Sequence, residues 1–119
     1  FLKGSRLNRG EGLKIGEQLK SKNEKFKFLI RENGQMVVLF NEFQLTYIIL
    51  SGIVSHLIIK NDGDLVVYDK YNQTLESLKT NGKGDHLIIQ DDSNLVIYDS
   101  HKEVLWKINA VFSKLFLNI

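Results

Sequence analysis

From residue 26 onward the chain repeats itself with a period of about 30 residues, and this constrains the fold more than any other feature. The copies span 26–39, 55–68 and 85–98. Each has an apolar run, a few polar turn residues rich in Gly, Asn or Asp, and a second β-rich run, which is the pattern of a hairpin. Eight residues after Leu39, Tyr68 and Tyr98 come Tyr47, Glu76 and Trp106, preceded by Leu45-Thr46, Thr74-Leu75 and Val104-Leu105. This adds a third strand to each copy. A unit so small cannot bury its own apolar face, so three copies imply three sheets packed about a common axis. Residues 1–25 read as two short strands joined by turns, with Gly4, Gly10, Gly12 and Gly16 as breakers and leucines at 2, 7, 13 and 19 spaced too widely for a helical stripe. Residues 110–119 are a last apolar stretch, suited to completing the first sheet or to being donated to a partner molecule. The β-branched and aromatic residues, with turn signals every 8–12 positions, make the chain all-β. Its 119 residues are read as one domain, 1–119, able to bury a core without metal or disulfide.

The formal charge of +2, from 16 basic and 14 acidic residues, is too mild to point to nucleic acid. Lys20, Lys22, Lys25 and Lys27 crowd one stretch, as on a strand edge that resists sheet-to-sheet pairing. No cysteine is present, so thiol chemistry and disulfides are ruled out. No apolar run reaches the length of a membrane-spanning helix. The start at Phe1 suggests trimming and a secreted form, whereas the lack of cysteine fits the cytoplasm. The compartment stays open between the two.

The chemistry concentrates in the third copy. At alternate positions it offers Gln90, Asp92, Asn94, Val96 and Tyr98, with Leu95 and Ile97 between them turned toward a core. Neutral amides, one acid acceptor, a phenol and an aliphatic wall suit a polyhydroxylated ligand better than a phosphate or a metal. Fully extended, the strand would hold Gln90 and Tyr98 roughly 26 Å apart. A hairpin turn over residues 91–94 reduces this to roughly 10 Å, a gap in which a hexose with hydroxyls on opposite edges fits.

At these residues the chain resembles the bulb-type mannose-binding lectins of monocots, the snowdrop-like family, whose motif Gln-x-Asp-x-Asn-x-Val-x-Tyr is matched at all five positions. Residues 10–19, the link Thr80-Asn81-Gly82-Lys83-Gly84 and Val104-Leu105-Trp106 extend the likeness over nearly the whole chain. The resemblance implies a β-prism II fold, with three four-stranded antiparallel sheets in pseudo-threefold symmetry, and a homodimer that exchanges C-terminal strands. It also implies that Asp92 and Asn94 hold the 2-hydroxyl of mannose, Tyr98 the 4-hydroxyl and Gln90 the 3-hydroxyl, with no cofactor. The expected partners are mannose-containing glycans or glycoproteins.

The other copies depart from the motif. The second has Lys60, Asp62, Asp64, Val66 and Tyr68, so charges replace the amides and leave a degenerate second site. The first, with Arg31, Asn33, Gln35, Val37 and Leu39, lacks both the acid and the phenol and is not a sugar site. Tyr47 and Glu76 stand where the family often has Trp, so the central packing must differ. Gly34 and Ser55 occupy the places of the disulfide found in the family's plant members, so packing alone must hold this chain.

Plainer readings compete with the sharp one. Asp and Asn are common in hairpins because they bond their own backbone, Tyr68 and Tyr98 suit cross-strand packing, and Trp106 suits the core. His56, His86 and His101 read as surface positions; no convergent set of three or four ligands suggests a metal site. Nothing resembles a phosphate loop, a nucleophile–His–acid grouping or a glycosidase acid pair, so no enzyme is expected. The expected function is binding of terminal mannose through one intact site. The alternatives are a protein-interaction or scaffold domain that has lost most sugar binding, and a lectin-like bacteriocin or defence protein.

Overall fold

The computed structural model describes residues 3–48, 52–78, 80 and 82–109, and the regular structure in them is entirely β. The N-terminal stretch forms β1 (Arg6–Asn8), β2 (Gly12–Lys14) and β3 (Gln18–Lys20). The first repeat supplies β4 (Phe26–Ile30), β5 (Met36–Phe40) and β6 (Phe43–Ile48). The second supplies β7 (His56–Ile59), β8 (Leu65–Tyr68) and β9 (Thr74–Leu78), and the third β10 (His86–Ile89), β11 (Asn94–Tyr98) and β12 (Val104–Asn109).

Three four-stranded antiparallel sheets result, in the orders β3-β4-β5-β6, β2-β7-β8-β9 and β1-β10-β11-β12. Each repeat makes three neighbouring strands of one sheet, as its sequence pattern predicts. The fourth strand of every sheet comes from the first twenty residues, which visit the third, second and first repeats in turn.

That N-terminal arrangement corrects the two strands expected there to three. Gly10 and Gly16, at φ of 84° and 93°, sit third in turns closed by Glu11 N to Asn8 O and by Glu17 N to Lys14 O. Left-handed backbone at that position favours glycine. The Glu11 and Glu17 carboxylates also accept from the Asn8 and Lys14 amides, fastening both turns alike. Each three-residue strand then points one leucine inward: Leu7, Leu13 and Leu19, none more than 1% exposed.

Alternation along the repeat strands supplies the rest of the core. Phe28, Ile30, Leu57, Ile59, Leu87, Ile89, Leu95 and Ile97 are fully buried and meet at the axis. Fully burying one such side chain contributes about 1.5–3 kcal/mol. A cavity of about 30 Å³ remains among them, bordered by Glu76 and Trp106. Trp106 is only partly buried but packs against the core, while Glu76 stays exposed.

Tyr47 is not the counterpart of these two. Thr46 pairs with Val38 as Glu76 pairs with Val67 and Trp106 with Ile97. The second hairpin of the first repeat is one residue shorter: residues 40–43 separate the partners Leu39 and Gln44, whereas 69–73 separate Tyr68 and Thr74. Tyr47 therefore turns outward and is 45% exposed.

β12 takes the fourth place in the third repeat's sheet beside β11. The sheet-completing or strand-donating role expected of residues 110–119 falls outside the described residues.

Candidate functional site

The polar motif of the third repeat lies on the outer face of its sheet. Residues 91–93 form a three-residue loop, closed by Ser93 N to Gln90 O and by Gln90 N to Asn94 O. The same pair of bonds closes the loops of the first and second repeats. Such loops end on a left-handed residue, usually glycine. Gly34 and Gly63 fill that place in the first two copies at φ of 84° and 92°; in the third it is Ser93, at 75°. Ser93 is fully buried and its hydroxyl has no partner among the described residues. The site's loop is therefore strained relative to its counterparts.

Alternation carries Asn94, Val96 and Tyr98 to the outer face, and Gln90 stands opposite Asn94. The Gln90 side-chain amide donates to the Tyr98 hydroxyl. This corrects the open gap of about 10 Å expected between them. That figure follows the backbone; two long side chains leaning toward each other close it. Val96, between them in register and flanked by Ile88 and Lys107, is only 1% exposed. The aliphatic wall expected to meet the ligand is thus covered by its neighbours.

Asp92 and Asn94 form the other end of the site. Asp92 Oδ1 accepts from Asn94 N at 2.9 Å, and Oδ2 from Asn94 Nδ2 at 3.2 Å. The first of these bonds is turn chemistry, since Asn33 bonds Gln35 N and Asp62 bonds Asp64 N in the same way. The second belongs to this copy. It leaves Asn94 with one amide hydrogen, and Asp92 with lone pairs, for a ligand. Gln90 keeps one amide hydrogen and its carbonyl oxygen, and Tyr98 its own proton. A hydroxyl that accepts a hydrogen bond becomes a stronger donor.

Two further residues complete the site, and sequence patterns did not assign them to it. The His86 ring, opposite Tyr98 in register, lies 5.4 Å from the Tyr98 ring, with its Nδ1 2.9 Å from Asp85 Oδ2. Asn23, from the β3–β4 turn, donates its backbone N–H to Asp91 Oδ1 and its side-chain amide to Asp91 O, at 2.8 and 3.2 Å. A neighbouring sheet thereby braces the loop. The signal for His86 was its place in the repeat, shared with His56, which stacks on Tyr68 at 5.0 Å. No sequence pattern signals Asn23, 68 residues from its partner.

The second copy is organised differently. Asp64, its counterpart of Asn94, accepts from Gly82 N at 2.8 Å and from the Thr80 hydroxyl at 3.2 Å. Arg9 clasps the same link through Gly84 O at 2.7 Å and Gly82 O at 3.2 Å. Lys60 lies 3.8 Å from Asp62. Asp64, Asp62 and Lys60 thus serve internal contacts, with Val66 mostly buried and Tyr68 against His56. In the first copy Arg31 reaches Gln44, and no phenol is present at Leu39. Among the described residues no cluster of three or more His, Cys, Asp or Glu is arranged to hold a metal, and no helix is long and apolar enough to cross a membrane.

No protein-family model matches the chain, and no curated protein sequence does. Solved structures do. The lectin of the fungus Marasmius oreades superposes with a TM-score of 0.82 at 24% identity, over 92% of this chain and 94% of that one. The Polygonatum cyrtonema lectin, solved with a monomannoside, is 30% identical, with a TM-score of 0.67 over 79% of this chain and 88% of that one. The mannose-specific agglutinin of snowdrop (Galanthus nivalis), solved with methyl-α-D-mannoside, is 30% identical, with a TM-score of 0.68 over 81% of this chain and 90% of that one.

Proposed function

The chain belongs to the family of bulb-type mannose-binding lectins, and we propose that it binds terminal mannose through Gln90, Asp92, Asn94, Val96 and Tyr98. As a lectin it binds glycans and is not an enzyme. One observation carries the reading for this site. The third copy alone keeps four polar side chains of the motif on one outer face, tied in two pairs, Gln90 to Tyr98 and Asp92 to Asn94. In that arrangement Asp92 accepts from a sugar hydroxyl, Asn94 and Gln90 donate amide hydrogens, and Tyr98 donates its proton. Val96 meets a C–H face once the Gln90–Tyr98 pair parts around the ring.

A single shallow site of this kind binds a monosaccharide at around millimolar, or roughly −4 kcal/mol. Linking two sites raises avidity by about 10²–10⁴-fold. The proposal therefore includes a homodimer, with residues 110–119 as the shared edge. Truncation after Asn109 is expected to give monomers.

Retention on mannose-agarose tests the reading, with Asp92→Ala as the comparison. Wild-type protein is expected to be retained and eluted by free mannose, and Asp92→Ala to flow through. The burial of Val96 favours a second reading, in which the prism is a protein-interaction scaffold. Retention indifferent to Asp92→Ala, or no retention of either protein, would favour it.

A further inference from the structure

A single row of residues crosses the outer face of the third sheet at the middle of the site. Arg6 on β1 pairs with Ile88 on β10, Ile88 with Val96 on β11, and Val96 with Lys107 on β12. Residues paired in this way share a face, so an apolar centre is bracketed by a cation on each edge strand. The other two sheets have the same kind of aliphatic centre without the charges. Their equivalent rows end on Gln18 and Tyr47 in the first sheet, and on Gly12 and Ser77 in the second. The copy with the intact motif is thus the one with cationic edges.

We propose that Lys107 is a specificity-determining residue of this site, and that the ligand is a mannose carrying a phosphate ester. The inference rests on reading the third repeat as the sugar site. The motif takes hydroxyls of the ring, and Lys107 takes the phosphate. With the 2-, 3- and 4-hydroxyls assigned to the motif, that phosphate sits on C1 or C6.

Lys107 is placed for this role by register. It stands directly across from Val96 and diagonally from Asn94, a separation that a long side chain spans. Val96 is only 1% exposed between Ile88 and Lys107, whereas Lys107 itself is exposed. A stem along the apolar row with its ammonium in water ends at the rim of the site.

Charge selects the class of ligand. Lys107 makes no ion pair among the described residues, so its three ammonium hydrogens are free. The acids flanking the site are already engaged. Both oxygens of Asp92 accept from Asn94, and Asp85 Oδ2 lies 2.9 Å from His86 Nδ1. Arg6, too, makes no ion pair among the described residues. Its Nε donates to Asn8 Oδ1 at 3.0 Å, and its charge adds to the positive field over the row. Hydroxyls bond amides and phenols as readily as they bond an ammonium. A phosphate ester gains a charge-assisted hydrogen bond that only the cation supplies.

Calorimetry at low salt tests this with methyl α-mannoside, methyl α-mannoside 6-phosphate, α-mannose 1-phosphate and inorganic phosphate. The proteins are wild type, Lys107→Gln and Lys107→Arg. One of the phosphorylated sugars is expected to bind wild type roughly tenfold more tightly than methyl mannoside, with the gain shrinking as salt rises. Lys107→Gln should bring that affinity ratio close to one, and Lys107→Arg should keep it. The sugar that gains identifies the carbon facing Lys107. Ratios of one or below for both phosphorylated sugars, or a ratio that survives Lys107→Gln, would overturn the proposal while leaving the mannose site standing. Inorganic phosphate bound as tightly as the phosphorylated sugar would also overturn it, by making the row a plain anion site. Absence of binding by methyl mannoside and both phosphorylated sugars would remove the sugar site, and the proposal with it.

Discussion

Gln90 and Tyr98, eight residues apart, join side chain to side chain across the row that Val96 occupies. The bond holds both groups outward on adjacent strands, where each keeps hydrogen-bonding capacity for a ligand. Val96, the motif's aliphatic residue, lies between them in register and is buried between Ile88 and Lys107. The polar groups are thus prearranged in two pairs, while the motif's aliphatic residue is covered.

Tyr98→Phe removes the hydroxyl and leaves the ring on His86. Affinity for methyl mannoside should fall roughly tenfold, the worth of one hydrogen bond. Stability should change by less than about 0.5 kcal/mol, because the group is half-exposed. Calorimetry and urea denaturation measure the two effects separately.

Asp64→Ala separates structure from binding in the second copy. It strips an acceptor from Gly82 N and Thr80 Oγ1, and should cost about 1–2 kcal/mol in urea denaturation. The mannoside stoichiometry and affinity should not change, since Asp64 already serves the inter-repeat link.

Ser93→Gly should stabilise the protein. A left-handed non-glycine residue costs roughly 1–2 kcal/mol, and glycine's greater freedom in the unfolded chain returns only part of this. A net gain of up to about 1 kcal/mol is expected in the urea midpoint. Ser93→Ala keeps the left-handed strain but also removes the unpartnered buried hydroxyl, so the further gain of Ser93→Gly over Ser93→Ala measures the strain alone.

Two carboxylates shape the acid limb of stability. Glu42 lies below its usual value of 4.5 because Lys27 donates a hydrogen bond to it and adds a favourable charge. Asp99 lies below 3.8 chiefly because the Glu103 amide donates to it, with the His101 amide adding to this. A depressed folded pKa stabilises the fold above the unfolded value, and that stability is lost as pH falls through the folded one. Stability should therefore decline from about pH 4.5 downward. Lys27→Met and Asp99→Asn should each flatten that decline in urea titrations at successive pH values.

The architecture was legible because a hairpin repeated three times leaves few ways to hide its apolar faces. Leu95, Ile97, Leu57 and Phe28 all fall where alternation puts them. The N-terminal strands were harder to count, since a three-residue strand carries one inward leucine and one residue has no period. Tyr47 was misplaced because an offset of eight assumes equal hairpins, and the first repeat's is one residue shorter. At the site, residue types at alternate positions identified the polar groups. They did not reveal that Gln90 and Tyr98 touch, which depends on side-chain length. Ser93 and Asn23 act through backbone conformation and through a neighbouring sheet, neither of which alternation encodes.

The most direct test is a crystal of the protein soaked with methyl α-mannoside. The account predicts one pyranose on the outer face of the third repeat, bonded to Asp92, Asn94 and Tyr98, with the Gln90–Tyr98 contact opened and Val96 against the ring. A sugar bound at another face, or none at saturating concentration with the Gln90–Tyr98 bond intact, would contradict it.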